Sequence, residues 1–339
     1  MNKNILTYVL TIFILFIGYG QEDMIISYSR FMQKSNPSAF GINNINKTGV
    51  LYNSQGLINN NRIESQYFFG AISFDSDNFS LGLDVYSMTM DNTGLVNTKP
   101  RLSYIYKIQF DNEVYFLPSI TLGLGSSKLD TGKLIFEDQI SLVSGYLQTE
   151  SQDPIVDQIA NSNYLDLGAS FIVHSSNYLF GASVQHLNQP NISYNIEDID
   201  YTLPIRISAQ GAYEFDINPY DRSIMPRYST IYAFMNVSKM GDNYDIFISQ
   251  EAQLGSFSIG LNQQFRKTNN FGFTNIGLSI ALAYENFEFG TLYNFPFRNA
   301  INTSVYSPST IELFLTFDFS PYLRNKRGDY RRLSTDNYY

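Results

Sequence analysis

The chain has 339 residues, 26 tyrosines, 27 phenylalanines, no cysteine, no tryptophan and a net charge of −9. Without cysteine there is no disulfide framework, thiolate metal site or cysteine nucleophile, and two histidines, His174 and His186, are a poor supply for a metal site or a triad. The acidic balance argues against a nucleic-acid groove, and a tyrosine-rich composition that is only 16% charged fits β structure that meets an interface.

Residues 1–20 read as a secretory signal peptide. Lys3 gives the positive n-region, Ile5 to Ile17 is an apolar stretch too short to span a bilayer comfortably, and Gly18 and Gly20 suit cleavage before Gln21. No later run of about 18 apolar residues follows that could stop the chain in an inner membrane. Residues 21–47, QEDMIISYSRFMQKSNPSAFGINNINK, hold Met24, Ile25, Ile26, Phe31 and Met32 but no strand pattern. They read as a periplasmic segment or as a plug inserted into the lumen, and that apolar content argues against a disordered leader.

From residue 48 onward the period is two. In PIRISAQGAYEFDI, Ile205, Ile207, Ala209, Gly211, Tyr213 and Phe215 share one face, and Arg206, Ser208, Gln210, Glu214 and Asp216 share the other. About fourteen such segments (range 12–16) are expected: 48–56, 64–74, 78–88, 101–110, 114–125, 163–174, 177–186, 204–216, 228–238, 244–252, 256–266, 274–285, 286–295 and 309–319. Most approach the 9–11 residues of a tilted membrane-spanning strand. With the N-terminus periplasmic, the odd connections 57–63, 89–100, 126–162, 187–203, 267–273 and 296–308 are the longer, extracellular ones, and most even ones are tight turns. The eighth, around NPYDRSIMP, and the ninth, KMGD, break that rule. A face bearing Asp166, Arg206, Glu214, Glu312 and Asp318 does not pack in a dry core without dense pairing, and fourteen strands cannot hold their apolar faces in water. An all-β, transmembrane antiparallel β-barrel over 48–319 satisfies both faces and leaves no open edge. IELFLTFDF, 311–319, is its closing strand, with Phe314 breaking the alternation. Both termini are then periplasmic, and the protein belongs in a bacterial outer membrane.

No spacing supports catalysis, a cofactor or a metal ion, and GLGSS at 123–127 follows a strand without opening a helix, unlike a phosphate loop. The 126–162 connection is long enough to be a docking element or to fold into the lumen. The tail 320–339 concentrates Arg324, Lys326, Arg327, Arg331 and Arg332, which reads either as a solvated basic run or as a docking peptide for an acidic periplasmic partner.

Several stretches resemble one family. NPSAFG, Asn36-Pro37 to Gly41, resembles an Asn-Pro-Ala-Tyr-Ala-Gly-like box. YLFGASVQHLNQP, 178–190, resembles a Gly-x-Ser-x-x-His-Leu-x-x-Pro element, with His186, Leu187 and Pro190 in place. YTLPIRISAQGAYEF follows with Pro204, and FEFGTLYNFPFRNAINTSVYSPSTIELFLTFDF resembles the last hairpin and closing strand with Glu312. Together these resemble the PorP/SprF family of type IX secretion outer-membrane proteins of the Bacteroidetes. Two positions depart: LYNSQ stands where the family shows Tyr-Arg-x-Gln-Trp, and Thr310 replaces a histidine. The resemblance implies a non-enzymatic barrel that supports secretion or surface anchoring of a specific partner such as a large gliding adhesin. Its outer loops would hold the partner's C-terminal domain, and its periplasmic side would meet other type IX components. A channel or transporter for small or hydrophobic solutes, with an open lumen lined by Asp166, Arg206 and Glu214, is the alternative.

Overall fold

The structure is a computed structural model that describes residues 25–44, 46–56, 62–74, 78–111, 113–135, 139–140, 151, 161–194, 201–218, 224–226, 229–267, 271–297, 308–320 and 332–333. These contain fifteen strands: β1 (Lys47–Gln55), β2 (Ile63–Phe74), β3 (Phe79–Met90), β4 (Leu95–Tyr106), β5 (Ile108–Asp111), β6 (Val114–Leu129), β7 (Ser162–His174), β8 (Tyr178–Gln185), β9 (Arg206–Asp216), β10 (Thr230–Met240), β11 (Asn243–Leu254), β12 (Phe257–Lys267), β13 (Phe271–Tyr284), β14 (Phe287–Pro296) and β15 (Thr310–Asp318). All pairing is antiparallel and joins neighbours along the chain except β4 and β5, and β1 closes on β15 from Lys47↔Asp318 to Gln55↔Thr310. β4 and β5 both pair with β6, so they are two pieces of one stave. The break falls at Lys107, whose N–H goes to Asn78 O at 2.8 Å. Fifteen strands therefore make a closed fourteen-stave barrel, with no edge among them left to pair with another chain.

The alternation expected from the sequence sets the two faces. Ile207, Phe215, Leu313 and Leu315 project outward, while Arg206, Ser208, Gln210, Glu214, Glu312 and Thr316 are buried inside. Lipid is the medium that makes this arrangement stable: the outer face is aliphatic and aromatic, and hydrocarbon demands that every backbone group be paired internally. No helix among the described residues is long and apolar enough to cross a membrane, which has no bearing on strands. Around the mouth where β1 starts and β15 ends, aromatic rings stack on the outer wall. Phe74–Phe79, Phe79–Tyr104 and Phe287–Phe317 have centroids 4.7, 5.5 and 4.7 Å apart. Such rings suit the headgroup level of a bilayer.

One connection differs from the sequence reading. Residues 89–100 are not a loop: β3 runs to Met90, β4 starts at Leu95, and a turn at 91–94 joins them. Pro100 is what makes the stretch look like a loop. It lies inside β4 opposite Val85, and on the other side the β6 pairing stops at Thr98↔Ser126 and resumes at Arg101↔Gly123. A proline has no N–H for a ladder, so the gap falls where it sits. Likewise β6 extends to Leu129, shortening the following connection. Most of the rest of 126–162 lies outside the described residues.

Candidate functional site: the occupied lumen

Residues 25–44 run inside the barrel as two short 3-10 turns, Met32–Lys34 and Pro37–Asn44, with irregular backbone between and before them. Irregular backbone inside a barrel must find partners for its polar groups, and these come from inward side chains of the wall.

At its start, Glu312 of β15 receives the segment. Its carboxylate accepts from Ile26 N at 2.5 Å, Ser27 N at 2.8 Å, the Ser27 hydroxyl, and Asn53 Nδ2 at 2.7 Å. Arg30 pairs with Glu251 and Glu288, donates to Ser258 Oγ at 2.6 Å and stacks 5.0 Å from the Phe314 ring. Glu251 and Glu288 supply the counter-charges that a guanidinium buried in the lumen needs. Phe31, fully buried, meets Tyr67, Phe69 and Phe314 edge-on at centroid distances of 6.1, 5.8 and 5.7 Å. Phe314 faces inward for this reason, which explains the one break in the closing strand's alternation. Lys34 lies 3.8 Å from the Tyr86 ring centroid, and its carbonyl accepts from Arg101, which is itself clamped on Asp84 at 2.8 and 2.7 Å.

Asn36 and its neighbours are the next anchor. The Asn36 amide donates to Phe171 O at 3.1 Å and Ala182 O at 3.4 Å, and its carbonyl accepts from Ser38 N at 3.1 Å, which folds the turn that Pro37 opens. Ser183 Oγ donates to Ser35 O at 2.6 Å. Gly181 leaves the space for this: a Cβ there would fall 2.7 Å from Asn36 Nδ2 and 2.8 Å from Phe171 O. Gly82 does the same for Phe40, whose ring a Cβ would meet at 2.1 Å, and Gly41 sits with room for a Cβ only 2.9 Å from Ile105. Asn36, Pro37, Gly41 and Glu312, named from the sequence, are thus brought together on one segment and its receptor strand.

His186, Leu187, Pro190 and Pro204 form a separate group where β8 ends and β9 begins. His186 adopts φ +58° and places Nδ1 3.0 Å from Asp166 Oδ1. Leu187 is exposed, Pro190 is buried, and Pro190 O accepts from Leu203 N at 3.0 Å. Pro204, half-buried, leads into β9. Asn188, which sequence reasoning passed over, continues the ladder after β8 stops: it donates to Leu165 O at 2.6 Å and accepts from Leu167 N at 3.1 Å. The other histidine, His174, is buried against Tyr115 with ring centroids 5.7 Å apart.

Of the tail cations, Arg324, Lys326, Arg327 and Arg331 lie outside the described residues. Arg332 points into the barrel, 2.5 Å from Glu251, rather than being presented to a partner outside. Nothing in a basic run says where it turns back. A cavity of about 130 Å³, with Lys47, Gln253, Glu288 and Asp318 on its walls, remains at the mouth near both chain ends of the barrel. Among the described residues no group of three or more His, Asp or Glu side chains is placed to hold a metal ion.

A closed antiparallel barrel with an apolar exterior, an aromatic rim and a polar interior is an outer-membrane β-barrel protein. The sequence matches the family described as type IX secretion system membrane protein PorP/SprF over residues 18–317, and the chain belongs to that family. No curated protein matches the sequence. Among solved structures it is similar to a deltaS2S3 mutant of the monoaromatic hydrocarbon channel TodX, at 11% identity over 85% of this chain and 94% of that one, with a TM-score of 0.50. It also matches Omp33 of Acinetobacter baumannii (10% identity, 82% and 100% covered, TM-score 0.44) and the KdgM porin (9% identity, 81% and 99% covered, TM-score 0.34). The TodX likeness concerns the fold alone.

Proposed function

We propose that this protein is a non-enzymatic type IX outer-membrane component whose lumen is closed by residues 25–44. Its outer loops hold the C-terminal domain of one secreted or surface-anchored partner, such as a large adhesin of the kind used in gliding. Both termini lie in the periplasm, where they meet the secretion apparatus. The observation that carries this reading is the chemistry of the lumen. Phe31, Asn36 and Glu312 are fully buried where a solute channel would keep wet walls, and Arg30, itself engaged in the lumen, adds the charge that Glu251 and Glu288 answer. A barrel filled in this way serves as a scaffold, and a scaffold in this family acts on a protein rather than on a solute.

The experiment is deletion of the gene with two readouts, surface display of secreted proteins and outer-membrane permeability. The expected result is loss of one surface protein, which also copurifies with the barrel from native membranes, and unchanged uptake of small solutes. Unchanged surface display together with reduced uptake of a hydrophobic or small polar solute would overturn the reading in favour of a transport barrel.

A further inference from the structure

Glu214 and Glu251 lie near the ends of β9 and β11 at the mouth where the barrel's first strand begins and its last one ends, and both are 2% exposed. Each stands opposite Tyr232 of β10, one on either side, and buried carboxylates need cations or N–H donors. Arg30 serves Glu251 from the N-terminal segment. Further partners come from the other end of the chain. Arg332 N and Leu333 N donate to the two oxygens of Glu214 at 3.3 and 3.0 Å, and Arg332 Nη2 reaches Glu251 at 2.5 Å. The guanidinium also lies 5.0 Å from the Tyr232 ring centroid, and Leu333 is fully buried.

Arg332 also holds the N-terminal segment. Arg332 Nη1 donates to Ser29 O at 3.0 Å, and Arg332 O accepts from Asn43 Nδ2 at 2.9 Å. Both ends of residues 25–44 are therefore tied to one dipeptide more than three hundred positions away from Ser29.

We propose that Glu214, Glu251 and Tyr232 form a receptor for an arginine-bearing peptide, that the chain's own Arg332-Leu333 occupies it, and that this occupancy straps residues 25–44 into the lumen. The receptor reads charge through Glu251, backbone N–H groups through Glu214, and a flat cation through Tyr232. Withdrawal of the tail takes one guanidinium from Glu251 and two backbone N–H donors from Glu214, and releases Ser29 and Asn43 together. A competing arginine-bearing peptide would do the same. The strap does not depend on the secretion reading above, because it concerns only how the barrel holds its own ends.

The chain has no cysteine, so Leu333→Cys gives a single thiol. In folded protein in detergent, with folding checked by heat-modifiable migration, this thiol reacts with a water-soluble maleimide roughly tenfold or more slower than Asp242→Cys in the exposed β10–β11 turn. Adding Glu251→Gln, which removes the buried charge pair with Arg332, or Glu214→Gln, which removes a charged acceptor for two backbone N–H groups, raises the rate at least about fivefold, since either loss costs about a factor of ten or more in occupancy. As a second measurement, a labelled peptide of residues 327–339 is added to a barrel truncated after Ser320. It binds, slows amide exchange over residues 29–31, and loses about tenfold or more in affinity when it carries Arg332→Ala. A Leu333→Cys thiol as reactive as Asp242→Cys would overturn the strap. So would peptide binding that is indifferent to both carboxylates, or exchange over 29–31 that truncation leaves unchanged.

Discussion

Glu312→Ala tests whether the lumenal segment is held by the wall or merely confined by it. The carboxylate is fully buried and accepts four hydrogen bonds, three of them from Ile26 and Ser27. Hydrogen bonds to a charged acceptor contribute about 1.5–3 kcal/mol each, and donors left unsatisfied in a dry interior add their own desolvation cost. Some of that is recovered when water enters the space the side chain leaves, so the docking of residues 25–31 weakens by about 3–4 kcal/mol rather than by the full sum. That corresponds to roughly a hundredfold or more in the population of the undocked segment. The strand itself is held by backbone pairing to β1 and β14 and stays in register. Hydrogen exchange with mass spectrometric readout on detergent-folded protein measures the two separately. The expected outcome is a loss of protection of about two orders of magnitude over residues 25–31, with β1 and β14 unchanged. Glu64→Gln, in a half-exposed pair with Arg62, is the control and leaves the segment alone. Protection over residues 25–31 within threefold of the parent value in Glu312→Ala would refute the reasoning, because four lost hydrogen bonds would then carry no docking energy.

Three further perturbations probe other parts of the barrel. Gly82→Ala puts a methyl group 2.1 Å from the Phe40 ring, so it raises exchange over residues 37–43, and Phe40→Ala in the same chain restores a fit at reduced stability; urea unfolding of the pair shows whether the effects compensate. Leu122→Arg, at the middle of β6 and facing outward, costs about 2–4 kcal/mol when unfolding is measured in lipid, whereas the same change at the exposed turn residue Asp242 is near neutral. Asn188→Ala removes two hydrogen bonds to β7 and costs about 1–2 kcal/mol, seen as faster exchange at Leu165 and Leu167 with the barrel's heat-modifiable migration intact.

The strands were legible because each one faces two media, and period-two alternation records that directly. All fourteen segments read from the sequence correspond to staves of the barrel, with ends shifted by a few residues. The misread stretch, 89–100, carries Asp91, Asn92, Gly94 and Pro100, all turn-forming types; β3 and β4 nonetheless continue because the ladder tolerates one missing N–H beside β6. Facing was legible too: Glu312, Glu214 and Arg206 are inside, as the alternation required. Partnership was not. Ser27 and Glu312 are 285 positions apart, and Arg332 and Ser29 are 303 apart. Periodicity gives a residue's side of the wall but not which of many inward groups it meets. Composition hinted that residues 21–47 needed apolar company, but Asp84, Glu251 and Asn188 look like any other polar positions in a strand or turn.

The two stretches that resemble family elements, NPSAFG and the Gly-x-Ser of YLFGASVQHLNQP, explain each other physically. One lies in a segment without a strand pattern and the other is an ordinary short strand, yet Asn36 needs the absence of a side chain at Gly181, and Ser35 needs the hydroxyl of Ser183. Neither requirement exists without the other. β8 is also only eight residues long and pairs with β7 over Ala169–His174, so the wall beyond it must be completed by something else. His186 and Asn188 complete it, the first against Asp166 and the second against the Leu165 and Leu167 backbone. A single short stave therefore grips the lumenal segment with its inner face and shapes an outer turn with its end.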